Sequence, residues 1–263
     1  TSAAKFVIAD ADKGGFDGSD EVFTIATGGN ATFYGDIRTS TAGTSNFVAG
    51  ANAGNSIQSG GNYNTTVGDA AGTAITTGDG NTVVGNDALY TTTTGSYNSA
   101  VGLSAMYLNT TGGYNVAIGR DALKANTTAS YNSAVGHASL TANTTGAENT
   151  AVGYNALDAN TTASHNTAIG SSALTSNTTG TNNTAIGSGA AAGTTTGTNN
   201  NAFGKNALYT NSTGSYGCAM GENALYYNTT GNYNTALGHN AMLANTTGTE
   251  NVAVGSIALD ANT

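Results

Sequence analysis

Four carboxylates near the start of the chain, Asp10, Asp12, Asp17 and Glu21, carry the pattern best suited to binding chemistry. They lie in the run Asp10-Ala-Asp-Lys-Gly-Gly-Phe-Asp-Gly-Ser-Asp-Glu21, with Asp at loop positions 1 and 3, Gly at 6 and Glu at 12. Calcium loops take oxygen ligands at such positions and use the glycine for a sharp turn. Gly14 occupies a slot where a further oxygen is expected, and extended-looking runs rather than helices flank the loop. Calcium at 10–21 therefore stands beside the plainer reading of a solvated acidic turn, and no other cofactor is expected.

Nucleophilic catalysis needs a serine or cysteine with a base and an orienting acid. The three histidines, His137, His165 and His239, fall at variable positions of a repeat, and the single Cys218 replaces a Thr or Ser of that repeat. No carboxylate pair, metal-ligand cluster, phosphate loop or dinucleotide fingerprint stands out. The expectation is that the chain is not an enzyme.

Two recurring residue sets suit contact rather than reaction. Tyr97, Tyr114, Tyr131, Tyr216 and Tyr233, with Tyr63, share one repeat position. An exposed aromatic row can stack on sugars or meet a partner, or it can simply pack. Glu148, Glu250, His165 and Asn182 take the same slot, which implies partial exposure. Asn109, Asn126, Asn143, Asn160, Asn177, Asn211, Asn228 and Asn245 each open an Asn-x-Ser/Thr sequon. They read either as turn chemistry or as a column of N-linked glycans, and the neighbouring threonines as O-linked acceptors.

The frame that positions these residues is a repeat. One glycine recurs with a constant 17-residue period, at Gly68, Gly85, Gly102, Gly119, Gly136, Gly153, Gly170, Gly187, Gly204, Gly221, Gly238 and Gly255. Stacked rungs cannot change length cheaply, whereas loops of a catalytic domain can. The unit is N-T-A-V-G-x-x-A-L-x-x-N-T-T-G-x-Y, with its opening Asn as position 1. Position 4 is always apolar from Val67 onward, and position 3 is Ala from Ala100 to Ala253. In N-T-A-V-G the side chains alternate, so Thr and Val share one face and Ala takes the other. A-L-x-x reads as a strand or a single helical turn, and N-T-T-G as a turn whose Gly is able to adopt positive φ, a conformation not mandatory there since Ala129 and Ala163 replace it in two units.

These features predict an all-β parallel β-helix or β-roll fibre, one coil per 17-residue unit, with identical residues stacked as ladders. At the ordinary strand spacing, twelve units span about 58 Å. Each coil holds only about two large apolar side chains, so three chains pooling their apolar faces, with Ala allowing close approach, form the expected homotrimer; a single-chain solenoid is the alternative. Residues 1–45 form a non-repetitive β-rich segment, and 46–263 form the shaft. The shaft is regular from 64, after one longer, 18-residue step between Gly50 and Gly68. Solenoids need polar caps, and the chain stops inside a unit, so the shaft is expected to continue beyond Thr263. Residue 1 is Thr, which suggests a mature or excised piece.

Composition narrows the partners. Only 8% of residues are charged, the formal net charge is −9, and the six basic residues are scattered, so phosphate-backbone binding is not expected. No apolar run is long enough to span a membrane.

The run Asn149-Thr-Ala-Val-Gly153, repeated as Asn166-Thr-Ala-Ile-Gly170, resembles the heads of trimeric autotransporter adhesins, whose repeats are typically shorter. The fuller pattern N-T-A-x-G-x-x-A-L-x-x-N-T-T-G, from Asn64 to Thr263, is similar to the shafts of phage tail fibres and related bacterial tail-fibre-domain proteins. The resemblance implies a trimeric extracellular shaft that carries a receptor-binding or self-cleaving chaperone tip. The expected function is a virion tail-fibre shaft. A bacterial surface fibre or adhesin that contacts glycans is the alternative. Ice binding by a threonine array is a smaller one, since Val116, Asn201, Cys218 and Val252 interrupt the position-2 column.

Overall fold

The computed structural model describes residues 42–261. The N-terminal carboxylates Asp10, Asp12, Asp17 and Glu21, and the strands expected around them, lie outside the described residues. The described residues form an all-β parallel solenoid. Thirteen three-residue strands, from β1 (Phe47–Ala49) and β2 (Thr65–Val67) to β13 (Val252–Val254), form one sheet in strict sequence order. Each strand covers positions 2 to 4. The register joins each residue to its equivalent in the next unit, as in Ala151↔Ala168. Only the first step differs, with Phe47 paired to Thr65 across the 18-residue step.

Axial hydrogen bonding continues around the coil, well beyond the strands. The Leu89 N–H donates to the Ala105 carbonyl at 2.9 Å, Thr110 to Thr127 at 2.8 Å and Tyr97 to Asp79 at 2.8 Å. This is why a segment with so few apolar residues can be ordered: most backbone N–H groups find a partner one rung away, and others, such as Ala156 to Gly153, close the turn within the rung. The position-5 glycines end each strand at φ of 127–138°. A Cβ added at Gly153 would lie 2.5 Å from the Gly170 carbonyl oxygen, so both conformation and space require glycine.

A-L-x-x is neither strand nor helical turn. Positions 7 and 9 adopt left-handed backbone, as at Asn155 (φ 52°) and Leu157 (φ 52°). In N-T-T-G the glycine is not the left-handed residue; position 17 is, as at Tyr97 (φ 58°). That explains how Ala129 and Ala163 can replace the glycine.

The core also differs from expectation. Alternation along the strand is as predicted, but Ala points inward and the larger position-4 side chain points out. Ala151, Ala156 and Leu157 are fully buried, whereas Val152 is 37% exposed. Each coil of the regular pattern therefore encloses one large apolar side chain, two alanines and two asparagines.

Candidate functional site

Two asparagine ladders run through the interior. In the first, the position-1 residue bonds along the axis: the Asn98 backbone N–H donates to Asn81 Oδ1 at 2.9 Å, and Asn98 Nδ2 donates to the Gly112 carbonyl at 2.9 Å. In the second, formed by the position-12 residues, Asn126 Nδ2 donates to Asn109 Oδ1 at 2.8 Å and Asn143 Nδ2 to Asn126 Oδ1 at 3.0 Å. The ladders meet at shared carbonyls, since Asn109 Nδ2 also donates to the Gly112 oxygen at 3.0 Å.

The second ladder consists of the sequon residues. Asn109, Asn126, Asn143, Asn160, Asn177, Asn211, Asn228 and Asn245 are all buried. Of the two readings, turn chemistry describes their place in the folded coil. In the folded coil the amide nitrogens face inward and donate to neighbouring asparagines and turn carbonyls. Thr194 interrupts this ladder, leaving Asn177 Oδ1 buried without a hydrogen-bond partner. Gly217 interrupts the first.

The predicted tyrosine column forms on the outside. Tyr97 stacks on Tyr114 with ring centroids 5.0 Å apart, Tyr114 on Tyr131 at 5.2 Å, and Tyr216 on Tyr233 at 4.8 Å. A neighbouring tyrosine lies against both faces of Tyr114 and against one face of each of the others, and all five rings remain exposed. Between the two tyrosine runs, His165 Nδ1 pairs with Glu148 at 3.3 Å. A second aromatic column at position 10 has no counterpart in the consensus: Tyr90 stacks on Tyr107 at 5.1 Å, and Tyr209 on Tyr226 at 5.0 Å.

The other chemistry-bearing residues are dispersed over outer columns. His137 stacks on Tyr154 at 5.5 Å, His239 is exposed, and Cys218 is half-buried on the outward sheet face. Among the described residues, no three of His, Cys, Asp and Glu come together as a metal site. No described helix is long and apolar enough to cross a membrane. Burial raises the Asp121 carboxyl, but the Lys124 hydrogen bond and charge together with Arg120 outweigh it, so its pKa lies below the ordinary value. Asp158 is shifted the other way: burial raises it, and opposing contributions from Thr141 and His137 do not compensate.

The outward sheet face carries a continuous apolar column. Position 4 presents Val84, Ile118, Val152, Ile169, Ile186 and Met220 at 37–47% exposure, in one line with the half-buried members of the same column. Beside it runs position 2, mostly Thr or Ser. No family model, curated protein or solved structure matches the chain.

Proposed function

We propose that the chain is the structural shaft of an extracellular appendage, a homotrimer whose coils pack through the outward sheet face, and that the appendage is a virion tail fibre projecting a receptor-binding tip. The observation that carries this reading is the position-4 column. A rod whose interior is already closed by alanine, leucine and asparagine has no internal need for a large apolar side chain outside every rung. Contiguous exposed apolar surface of this kind marks an interaction site. At on the order of 60 Å² of apolar surface per rung, the column offers roughly 700 Å² per chain, shared in a trimer between its two neighbours. The occupant with the same rise per rung is another copy of the chain, which aligns every ladder with its own equivalent.

A bacterial surface fibre or trimeric adhesin uses the same geometry and is the second reading, favoured by the N-T-A-V-G resemblance. Ice binding is the third, favoured by the exposed threonine that fills position 14 of every rung from Thr77 to Thr247; thermal hysteresis of the purified rod tests it. Immunogold labelling with antibody raised against the purified chain separates the first two. Labelled virions in the producing culture are expected. Labelled cell envelopes with bare virions would transfer the function to a cellular fibre, and labelling of neither would overturn both.

A further inference from the structure

We propose that the outer groove lined by Asn223, Tyr226, Tyr227, Asn240 and Leu243 binds a neutral pyranose sugar. The inference stands independently of whether the shaft is viral or cellular. The groove, about 240 Å³, forms where three outer columns depart from the repeat together.

The first departure is at position 10. Tyr209 and Tyr226 stack with centroids 5.0 Å apart, and the next residue of that column is Leu243. A ring-shaped slot in the stack is thus left only partly filled. The equivalent place after Tyr107 is taken by Lys124, whose ammonium is tied to Asp121 at 2.9 Å. The second departure is Tyr227, at position 11. The other rungs carry a small residue there (with the exception of Leu108), such as Ala125, Ala142, Ala159 and Ala244. Tyr227 is 50% exposed and meets Tyr226 edge-on, with centroids 4.6 Å apart and ring planes at 70°. The two rings form an aromatic corner.

The third departure is at position 7, where Asn206, Asn223 and Asn240 follow one another. Asn206 Nδ2 donates to Asn223 Oδ1 at 3.3 Å, and Asn223 Nδ2 donates to Asn240 Oδ1 at 3.2 Å. The chain of amides ends at Asn240, whose Nδ2 has no partner among the described residues. It is therefore a directed donor at the edge of an aromatic corner.

An amphipathic ring matches this arrangement. The C–H face of a pyranose packs on an aromatic ring while its hydroxyls accept from and donate to side-chain amides. No charged side chain lines the groove, so a neutral sugar is favoured over an acidic one. The volume is below that of a drug-sized pocket and suits one ring rather than an extended oligosaccharide.

The test is saturation-transfer NMR on the full chain with the methyl glycosides of glucose, galactose, mannose and N-acetylglucosamine. At least one is expected to bind with Kd on the order of millimolar. Tyr227→Ala and Asn240→Ala should each weaken it by about tenfold or more, while Tyr97→Ala leaves it unchanged. Tyr227→Ala restores the residue other rungs carry, so the coil should fold with an unaltered melting temperature. Absence of transfer from every glycoside would overturn the site. So would transfer that survives Tyr227→Ala, or that is lost in Tyr97→Ala.

Discussion

Asn126 donates its side-chain amide to Asn109 Oδ1 at 2.8 Å, one rung away, and to the Ala129 carbonyl at 3.0 Å within its own turn. Both donor hydrogens are satisfied, and its own Oδ1 accepts from Asn143. A buried amide so fully paired fixes rung spacing and turn shape at once. Uniform rung length follows wherever this ladder runs: each position-12 amide finds its partner in a coil of the same 17-residue length, and the 18-residue step carries Ile57 at that position instead.

A length change should therefore do more harm than a side-chain deletion. Asn160→Ala leaves Asn143 Oδ1 without its donor and Asn177 Nδ2 without its acceptor, and is expected to cost about 2–3 kcal/mol. One residue inserted after Asn160 lengthens the turn whose Ala163 carbonyl accepts from Asn160 at 3.0 Å, a change the 18-residue step bears only where Ile57 replaces the asparagine, and it should lower the thermal midpoint further. Equal midpoints for the two variants would contradict the rung account.

Filling the gaps in the ladders should stabilise the rod. Thr194→Asn supplies a donor to the unpaired Asn177 Oδ1. Gly217→Asn rebuilds the other ladder next to Asn200, whose Oδ1 already accepts the Gly217 N–H at 2.9 Å. Thr66 is buried with an unpartnered hydroxyl at the position held by Val83 in the next rung, so Thr66→Val removes an unsatisfied group without changing shape. Each variant is expected to gain about 1 kcal/mol, read as a higher urea midpoint with an unchanged slope.

Asp158 makes the stability depend on pH. Its folded pKa is raised above the ordinary 3.8 because burial disfavours the carboxylate. Ionisation therefore costs stability in full above the folded pKa, the cost fades as pH falls through that value, and it is gone below 3.8. Asp158→Asn should raise the melting temperature at neutral pH, where the full cost applies, and leave it unchanged in acid below the unfolded pKa. A neutral-pH effect of zero or opposite sign would refute the burial argument.

The period, the strand at N-T-A-V-G, the parallel stacking and the existence of asparagine ladders are legible in the chain because each follows from spacing alone. The inward face is not. In a three-residue strand, Ala151 and Val152 are both apolar, and size suggests valine for the core; the coil encloses too little space for it once Leu157 and the paired asparagines are inside. The left-handed backbone at Leu157 and Tyr97 gives no signal either, because neither residue type favours positive φ. Only the closed coil, with its axial hydrogen bonds, imposes it. The sequons are ambiguous for a related reason. Asn160-Thr-Thr is equally a turn and a glycosylation motif, and only the ladder shows which way the amide points.

The mass of the full chain in solution tests the proposed shaft most directly. Sedimentation equilibrium at micromolar concentration should give three times 25.8 kDa, and the double variant Val152→Glu/Ile169→Glu, which places charge on the outward sheet face, should shift the mass towards a single chain while the coil remains folded. A folded parent that sediments as a 25.8 kDa monomer would contradict the account.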